Sequence, residues 1–325
     1  MLNKITQAIF HITYVCTHHC PMCYANAGIK SSHPPLKQLC LIVDRLLELG
    51  ITDLTLVGGD PASYPYIASL ACHIKKAGMH LTILSNTLDF SPSKESVLDY
   101  IDVYEGTIHH SIKEKHDQFC GSSGAYESLL GNLKFFSSLH KRTGLAVNMI
   151  PYNYDAIYDL IMNVISHDVS IDHLVLQRII QFGRAVGSVQ YELDKRMLNI
   201  IMRQVEQAEK EFGLSIIFED PLPLCSIDEK YHKYMHPCEW GITKVSVDYN
   251  GNLSRCGADV FHSFGSIFDE DVLEKWNTSS LLLEFRNKTY LPQKCRNCLA
   301  FDNCGGGCPI SREPDRGFSL DYLAL

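Results

Sequence analysis

The chain has 325 residues, 46% of them hydrophobic, which is enough for one large domain with a sizeable core and a small second one. Its net charge is −8, with no basic block and no interleaving of Arg or Lys with aromatics, and this argues against nucleic acid as a partner. No run reaches the length of a membrane span and the N-terminus lacks a signal-peptide layout, so a soluble, cytoplasmic protein away from membranes is expected.

In chain order, the apolar residues Ile9, Phe10, Ile12, Tyr14 and Val15 read as a strand that runs into Cys16-Thr-His-His-Cys20-Pro-Met-Cys23-Tyr24. Ser31-Ser-His-Pro-Pro35 is a turn and helix-start signal. Leu36, Leu39, Val43, Leu46 and Leu47 then recur at helical spacing, and Gly50 is the stop. A buried strand Leu54-Thr-Leu-Val57 ends in Gly58-Gly59-Asp60-Pro61, residues 64–77 look helical, and Leu81-Thr-Ile-Leu84 is a strand ending at Ser85-Asn86.

The alternation continues with a helix near 93–100, a strand near 101–109, a helix across 125–140, a strand Leu145–Ile150, a helix near 154–166 and a strand Ile171–Ile180. A long helix runs from Asp194, a good N-cap, to Phe212. Its buried stripe is read as Met197, Ile201, Val205, Ala208 and Phe212, and Gly213 ends it. Six strand–helix units in sequence predict an α/β fold with a parallel sheet, as a barrel or part of one. Chemistry in such sheets gathers at the carboxyl ends of the strands, where Cys16, Gly58, Ser85 and Asn86 all fall.

Past about residue 214 the helical periodicity fades. Short strands around Lys244–Val247 and Leu253 are joined by Asp248-Tyr-Asn250-Gly251, a strong hairpin signal, and Leu281–Asn287 reads as a short helix. A domain boundary is placed near 214–235, dividing the chain into 1–213 and 214–325, the latter including a connector.

The cysteines concentrate the chemistry. There are thirteen: three in 16–23, six between 238 and 308, and Cys40, Cys72, Cys120 and Cys225 elsewhere. Clustered cysteines in a cytosolic chain read as metal-binding rather than disulfide-bonded. The C-x3-C-x2-C loop can wrap three thiolates around one face of an iron–sulfur cube, leaving one iron without a protein ligand. A zinc site is the alternative, with His18 or His19 as further ligands, as are three unrelated buried cysteines. The C-terminal set is Cys238, Gly251 and Cys256, then Cys295-x2-Cys298-x5-Cys304-Gly-Gly-Gly-Cys308. Gly305 to Gly307 free the backbone to fold tightly around a metal centre. Its spacings suit iron–sulfur ligation better than a zinc ribbon.

With these motifs in place, the chain resembles a radical S-adenosylmethionine enzyme of the SPASM group. C-x3-C-x2-C is that superfamily's signature, Gly58-Gly59-Asp60-Pro61 resembles its G-G-E motif, and C-x12-G-x4-C followed by C-x2-C-x5-C-x3-C resembles the SPASM auxiliary-cluster pattern. The resemblance implies a partial (β/α)6 barrel over 1–213 followed by an auxiliary-cluster domain. It implies that Cys16, Cys20 and Cys23 hold a 4Fe–4S cluster whose open iron binds S-adenosylmethionine. One-electron reduction then yields a 5′-deoxyadenosyl radical that abstracts a hydrogen atom from a substrate carbon. An external donor such as flavodoxin or ferredoxin would supply the electron. Gly58, Gly59 and Asp60 would approach the methionyl amine through the backbone, with Ser85 and Asn86 as further cofactor contacts. Cys238, Cys256, Cys295, Cys298, Cys304 and Cys308 would hold one or two auxiliary clusters.

The chain also departs from the family pattern. No seventh cysteine follows Cys308, so in the crossed family arrangement Cys238, Cys256 and Cys308 would need a further ligand, for which Cys225 is a candidate. Cys295, Cys298 and Cys304 would need another, for which Asp315 or Asp321 is a candidate. His116-Asp117-Gln-Phe-Cys120-Gly121 has a cysteine where the family has an arginine, and Arg178 or Arg184 is the expected substitute cation. His109 and His110, at a strand end, are candidates for the substrate site. The group implies maturation of a ribosomally made peptide by cross-linking, epimerisation or oxidation. A small metabolite such as a tetrapyrrole is the alternative, and an iron–sulfur carrier or scaffold is the non-enzymatic one. The chain begins almost at the first strand, so no appended leader-binding domain is expected. Cys225, on the Pro-rich connector, is read as a hydrogen-atom donor to a substrate radical, with a cluster ligand or an inert cysteine as its rivals.

Overall fold

A computed structural model of the chain describes residues 4–28, 32–86, 99–259, 262–311 and 317–324. The helix expected near 93–100 falls almost entirely on 87–98, and Asp315 on 312–316, both outside the described residues. Two compact units are formed by discontinuous segments. The first comprises Met1–His19, Ala25–Glu105 and Glu239–Asn287, the second Cys20–Tyr24, Gly106–Cys238 and Lys288–Leu325.

In the first unit lie β1 (Gln7–Thr13), α1 (Leu36–Glu48), β2 (Asp53–Gly58), α2 (Ile67–Lys76), β3 (His80–Leu84) and the first half of β4 (Val103–Ile108). β1, β2, β3 and β4 are neighbours, all parallel, so their carboxyl ends share one edge. The helix α1 forms where the apolar spacing predicts, buries Leu39, Ile42, Val43 and Leu46, and ends as Gly50 takes a φ of 85°. Leu47, counted in the predicted stripe, lies one position past that face and is 39% exposed.

In the second unit lie the rest of β4, α3 (Lys113–Cys120), α4 (Ala125–Ser138), β5 (Arg142–Met149), α5 (Ile157–Ile165), β6 (His173–Arg178), α6 (Lys195–Phe212) and β7 (Ser215–Phe218). β5, β6 and β7 are parallel neighbours. β5 and β6 are buried on both faces, the condition of strands covered by helices on each side. Asp194 caps α6 by accepting from the Met197 N–H at 2.7 Å, and Gly213 closes it at φ 68°. Its buried face is Leu198, Ile201, Met202, Val205 and Ala208, so Met197 and Phe212 sit on its margins rather than in it.

Beyond the predicted strand–helix run, two features bear on the sheet. The strand β7 extends the parallel strands past residue 213. The predicted hairpin, β8 (Lys244–Asp248) with β9 (Asn252–Ser254), forms around Gly251 at φ 87°, and β8 pairs in parallel with β1. β10 (Ser263–Ser266) pairs with β9, and α7 (Val272–Thr278) and α8 (Ser280–Asn287) complete the first unit. Two short helices, α9 (Gln293–Arg296) and α10 (Phe301–Cys304), belong to the second. Among the described residues β10 pairs only with β9, and β7 only with β6, so the mostly parallel sheet of this α/β fold is not closed, as in a partial barrel. No described helix is long and apolar enough to cross a membrane.

Candidate active site

The cysteine loop leaves β1 after Thr13 and is pinned at its start by the turn after β2. The Gly59 N–H donates to the Thr13 carbonyl at 2.7 Å, the Asp60 N–H to the Val15 carbonyl at 2.9 Å, and Ser63 Oγ to the same carbonyl at 3.1 Å. Only glycines permit this approach. A Cβ on Gly58 would lie 2.1 Å from the Thr13 oxygen, and one on Gly59 would lie 2.2 Å from the Val15 oxygen. The Gly-Gly pair thus brings the β2 turn against the backbone that carries Cys16, which is buried.

Asp60 joins the ends of β2 and β3. Its carboxylate accepts from the Ala62 N–H (2.9 Å), Ser85 Oγ (2.6 Å) and the Asn86 N–H (2.9 Å), while Tyr104 Oη donates to the Ser85 carbonyl at 2.6 Å. Ser85 and Asn86, expected at one strand-end mouth with Gly58 and as cofactor contacts, are direct partners of Asp60. The burial of Asp60 and Ser85 makes each of these bonds costly to lose.

Further along the loop, Cys20 and Cys23 close a turn, the Cys23 N–H donating to the Cys20 carbonyl at 3.3 Å. The segment after β6 holds this turn from outside. Arg184 Nε donates to the Cys20 carbonyl at 2.8 Å and the Arg184 N–H to the Cys23 carbonyl at 3.0 Å. Gly183, at φ 58°, passes so close that a Cβ there would sit 2.3 Å from the Tyr24 oxygen and 2.5 Å from the Cys23 oxygen. In the sequence Arg184 reads only as a substitute cation, and Gly183 in a strand-end loop is the one further sign of this buttress.

The expected substitute cations resolve differently. Arg178 is 4% exposed and spent on structure. Its guanidinium pairs with both oxygens of buried Asp321, Nη1 to Oδ1 at 3.1 Å, and with the Pro221 carbonyl at 3.3 Å. Burial alone would lower its pKa, but the Asp321 charge outweighs this and holds it charged. Asp321 also accepts from the Cys308 N–H at 2.8 Å and the Leu323 N–H at 3.0 Å, so its carboxylate is fully engaged. Arg184 is the cation that remains at the cysteine loop.

Cys120, standing where an arginine was expected, is buried with its thiol 3.4 Å from His116 Nε2, and its carbonyl is 4.0 Å from Cys20 Sγ. His109 is buried, stacked on His116 and 4.7 Å from the Phe119 ring. His110 is half-buried, its Nδ1 accepting from the Ile112 N–H at 2.9 Å and its ring 5.2 Å from that of Tyr152.

Among the C-terminal cysteines, Cys295, Cys298 and Cys304 line one cavity, and Cys225 lies on the same wall rather than with Cys308. Buried Cys308 has its thiol pushed up to about 12 by desolvation, with Asp220, Asp321 and Cys238 adding to the effect. Cys256 follows β9, its carbonyl accepting from the Asp259 N–H at 3.2 Å. None of the thirteen cysteines is in a disulfide. Soft thiol donors in two groups, beside turns that admit no Cβ, suit iron–sulfur clusters.

A parallel, unclosed sheet with a three-cysteine loop at one strand end is an arrangement that suits an enzyme working through a metal cluster. The family comparisons agree: residues 10–163 match the radical SAM superfamily and residues 238–299 match the SPASM iron–sulfur cluster-binding domain. The chain belongs to the radical SAM superfamily and carries a SPASM domain. Its cofactors are therefore S-adenosylmethionine, a 4Fe–4S cluster and auxiliary iron–sulfur clusters.

The chain is similar to the PqqA peptide cyclase of Ruegeria pomeroyi, at 20% identity over 91% of this chain and 80% of that one. It is also similar to the Fe-coproporphyrin III synthase of Methanosarcina barkeri, at 22% identity over 96% and 85%. Its fold matches SuiB of Streptococcus suis, solved with the precursor peptide SuiA, with a TM-score of 0.78 at 18% identity over 99% of this chain and 76% of that one.

Proposed function

We propose that this enzyme matures a ribosomally made peptide, and that Cys16, Cys20 and Cys23 are the protein ligands of its catalytic cluster. The observation that carries the site is the backbone anchoring of the three-cysteine loop within each unit: Thr13 and Val15 by Gly59–Asp60 in the first, and Cys20, Cys23 and Tyr24 by Gly183–Arg184 in the second. When bound, a cluster with one open iron and S-adenosylmethionine supplies a 5′-deoxyadenosyl radical on one-electron reduction.

The chain's own residues position and shield. Gly58 and Gly59 allow close backbone approach. Asp60 spends its carboxylate on Ala62, Ser85 and Asn86, which fixes the Gly58–Asp60 turn whose backbone would meet the methionyl amine. Arg184 fixes the Cys20 and Cys23 carbonyls, which sets the shape of the turn. A reducing cytoplasm suits thirteen cysteines with no disulfide among them, with a flavodoxin or ferredoxin as electron donor.

The peptide reading is supported by likeness to PqqA peptide cyclases along nine-tenths of the chain. Likeness to an Fe-coproporphyrin III synthase over a similar length supports a tetrapyrrole as the second reading. The test incubates reconstituted enzyme, S-adenosylmethionine and a reductant with a short peptide encoded beside its gene, or with a tetrapyrrole precursor of Fe-coproporphyrin III, the product a synthase of that kind makes. A mass loss of two hydrogens in the peptide, or an unchanged mass with an inverted residue, supports maturation. Turnover of the tetrapyrrole alone overturns it.

A further inference from the structure

A cavity of ≈ 410 Å³ in the second unit has four cysteines on its wall: Cys225, Cys295, Cys298 and Cys304. Three belong to the C-terminal run, on α9, the turn beyond it and the last residue of α10. Cys225 arrives from far upstream, on the helical turn Leu224–Ser226 of the connector.

That connector is fixed against the run. The Leu224 N–H donates to Cys304 Sγ at 3.4 Å, and the Leu224 carbonyl meets His232 Nε2 at 3.0 Å. The glycine run also packs on it: a Cβ on Gly307, at φ 78°, would fall 2.8 Å from Pro223 Cδ.

We infer that Cys225 is the fourth protein ligand of an auxiliary 4Fe–4S cluster held with Cys295, Cys298 and Cys304. This rests on the iron–sulfur reading of the C-terminal cysteines and extends it to a residue outside their spacing. Four thiolates leave no open iron, so this cluster passes electrons and does not bind substrate. A single zinc ion would draw four sulfurs to about 2.3 Å from one centre and leave no such space. The cavity has room for a cube of irons and sulfides. The other side chain on this wall able to ligate iron is His232, whose Nε2 is engaged by the Leu224 carbonyl, which favours Cys225 as the fourth partner of the three sulfurs.

The test uses the full chain with Cys16, Cys20 and Cys23 replaced by alanine, so that only auxiliary metal is counted. Adding Cys225→Ala should remove about four irons per chain, or leave the cluster with an altered EPR spectrum. Where Cys225→Ala removes the iron, adding Cys295→Ala should remove no more, because both residues serve one cluster; where the altered cluster persists, adding Cys295→Ala should remove it. Cys225→Ser, which keeps the volume, should retain the thermal melt while shifting the cluster's midpoint potential and EPR signal. Unchanged iron, spectrum and potential in both Cys225 variants overturn the inference. So does zinc in place of iron, or intact clusters with loss only of solvent-hydrogen delivery to product. Cleavage of S-adenosylmethionine by the unmodified protein is scored separately. Failure of the functional reading is thereby distinguished from failure of this one.

Discussion

Gly183→Ala is the most informative single change near the cysteine loop. The new Cβ would lie 2.3 Å from the Tyr24 oxygen and 2.5 Å from the Cys23 oxygen, where ordinary contact begins near 3.4 Å. The Cys23–Tyr24 peptide must therefore retreat by roughly 1 Å, and a displacement of that size at a reacting centre costs about 10²-fold in rate. The left-handed φ of 58° adds about 1–2 kcal/mol of backbone strain.

Gly187→Ala separates the two effects, because Gly187 has a similar φ of 75° and no atom within 4 Å of its Cβ position. Anaerobically reconstituted variants would be assayed for initial 5′-deoxyadenosine formation under excess reductant, with iron content and thermal melts alongside. Gly187→Ala should lose only stability. Gly183→Ala should lose about two orders of magnitude in cleavage, with iron falling toward the auxiliary complement. Equal cleavage rates in the two variants would refute the idea that the segment after β6 shapes the cluster loop.

Three further outcomes are expected. Asp321→Asn leaves the buried Arg178 guanidinium without its counter-charge and should cost about 3–5 kcal/mol in denaturant unfolding, whereas a loss under 1 kcal/mol would show the pair to be dispensable. Asp60→Ala deprives three donors of their acceptor and should lower stability by about 2–3 kcal/mol, as read from the denaturation midpoint. Burial lowers the fully buried His11 from an ordinary 6.5 to about 4, against a hydrogen bond to the Gly257 backbone that raises it. The unfolded chain then binds the proton more readily. Stability contributed by neutral His11 is thus present above pH 6.5 and is lost, by about 3 kcal/mol, as pH falls toward 4. His11→Leu should flatten the melting temperature across that window, and an unchanged slope would count against it.

The sequence was legible where chemistry is local. The three-cysteine loop, the Gly-Gly-Asp turn and the strand-end serine and asparagine can all be read from spacing, and the fold sets the turn and strand-end residues around Asp60. Helix α3 escaped because Lys113–Cys120 is polar and buries only His116 and Cys120, leaving no apolar period to see. What spacing cannot show is which distant segments meet. The Gly183–Arg184 buttress lies far along the chain from Cys20 and Cys23, and Arg178 reads as an available cation until Asp321 is found against it. Likewise β8 gives a hairpin signal but no hint that it pairs with β1. Cys225 reads as a lone thiol on a Pro-rich connector, and only the folded connector sets it beside Cys304.

The central claim is that Cys16, Cys20 and Cys23 hold the cluster at which S-adenosylmethionine is cleaved. The most direct measurement is 5′-deoxyadenosine and methionine formation by the anaerobically reconstituted, reduced protein, compared with a variant in which all three cysteines are alanine. The account predicts equimolar products from the unmodified protein, none from the variant, and retention by the variant of its auxiliary iron. Undiminished cleavage by the variant would contradict it.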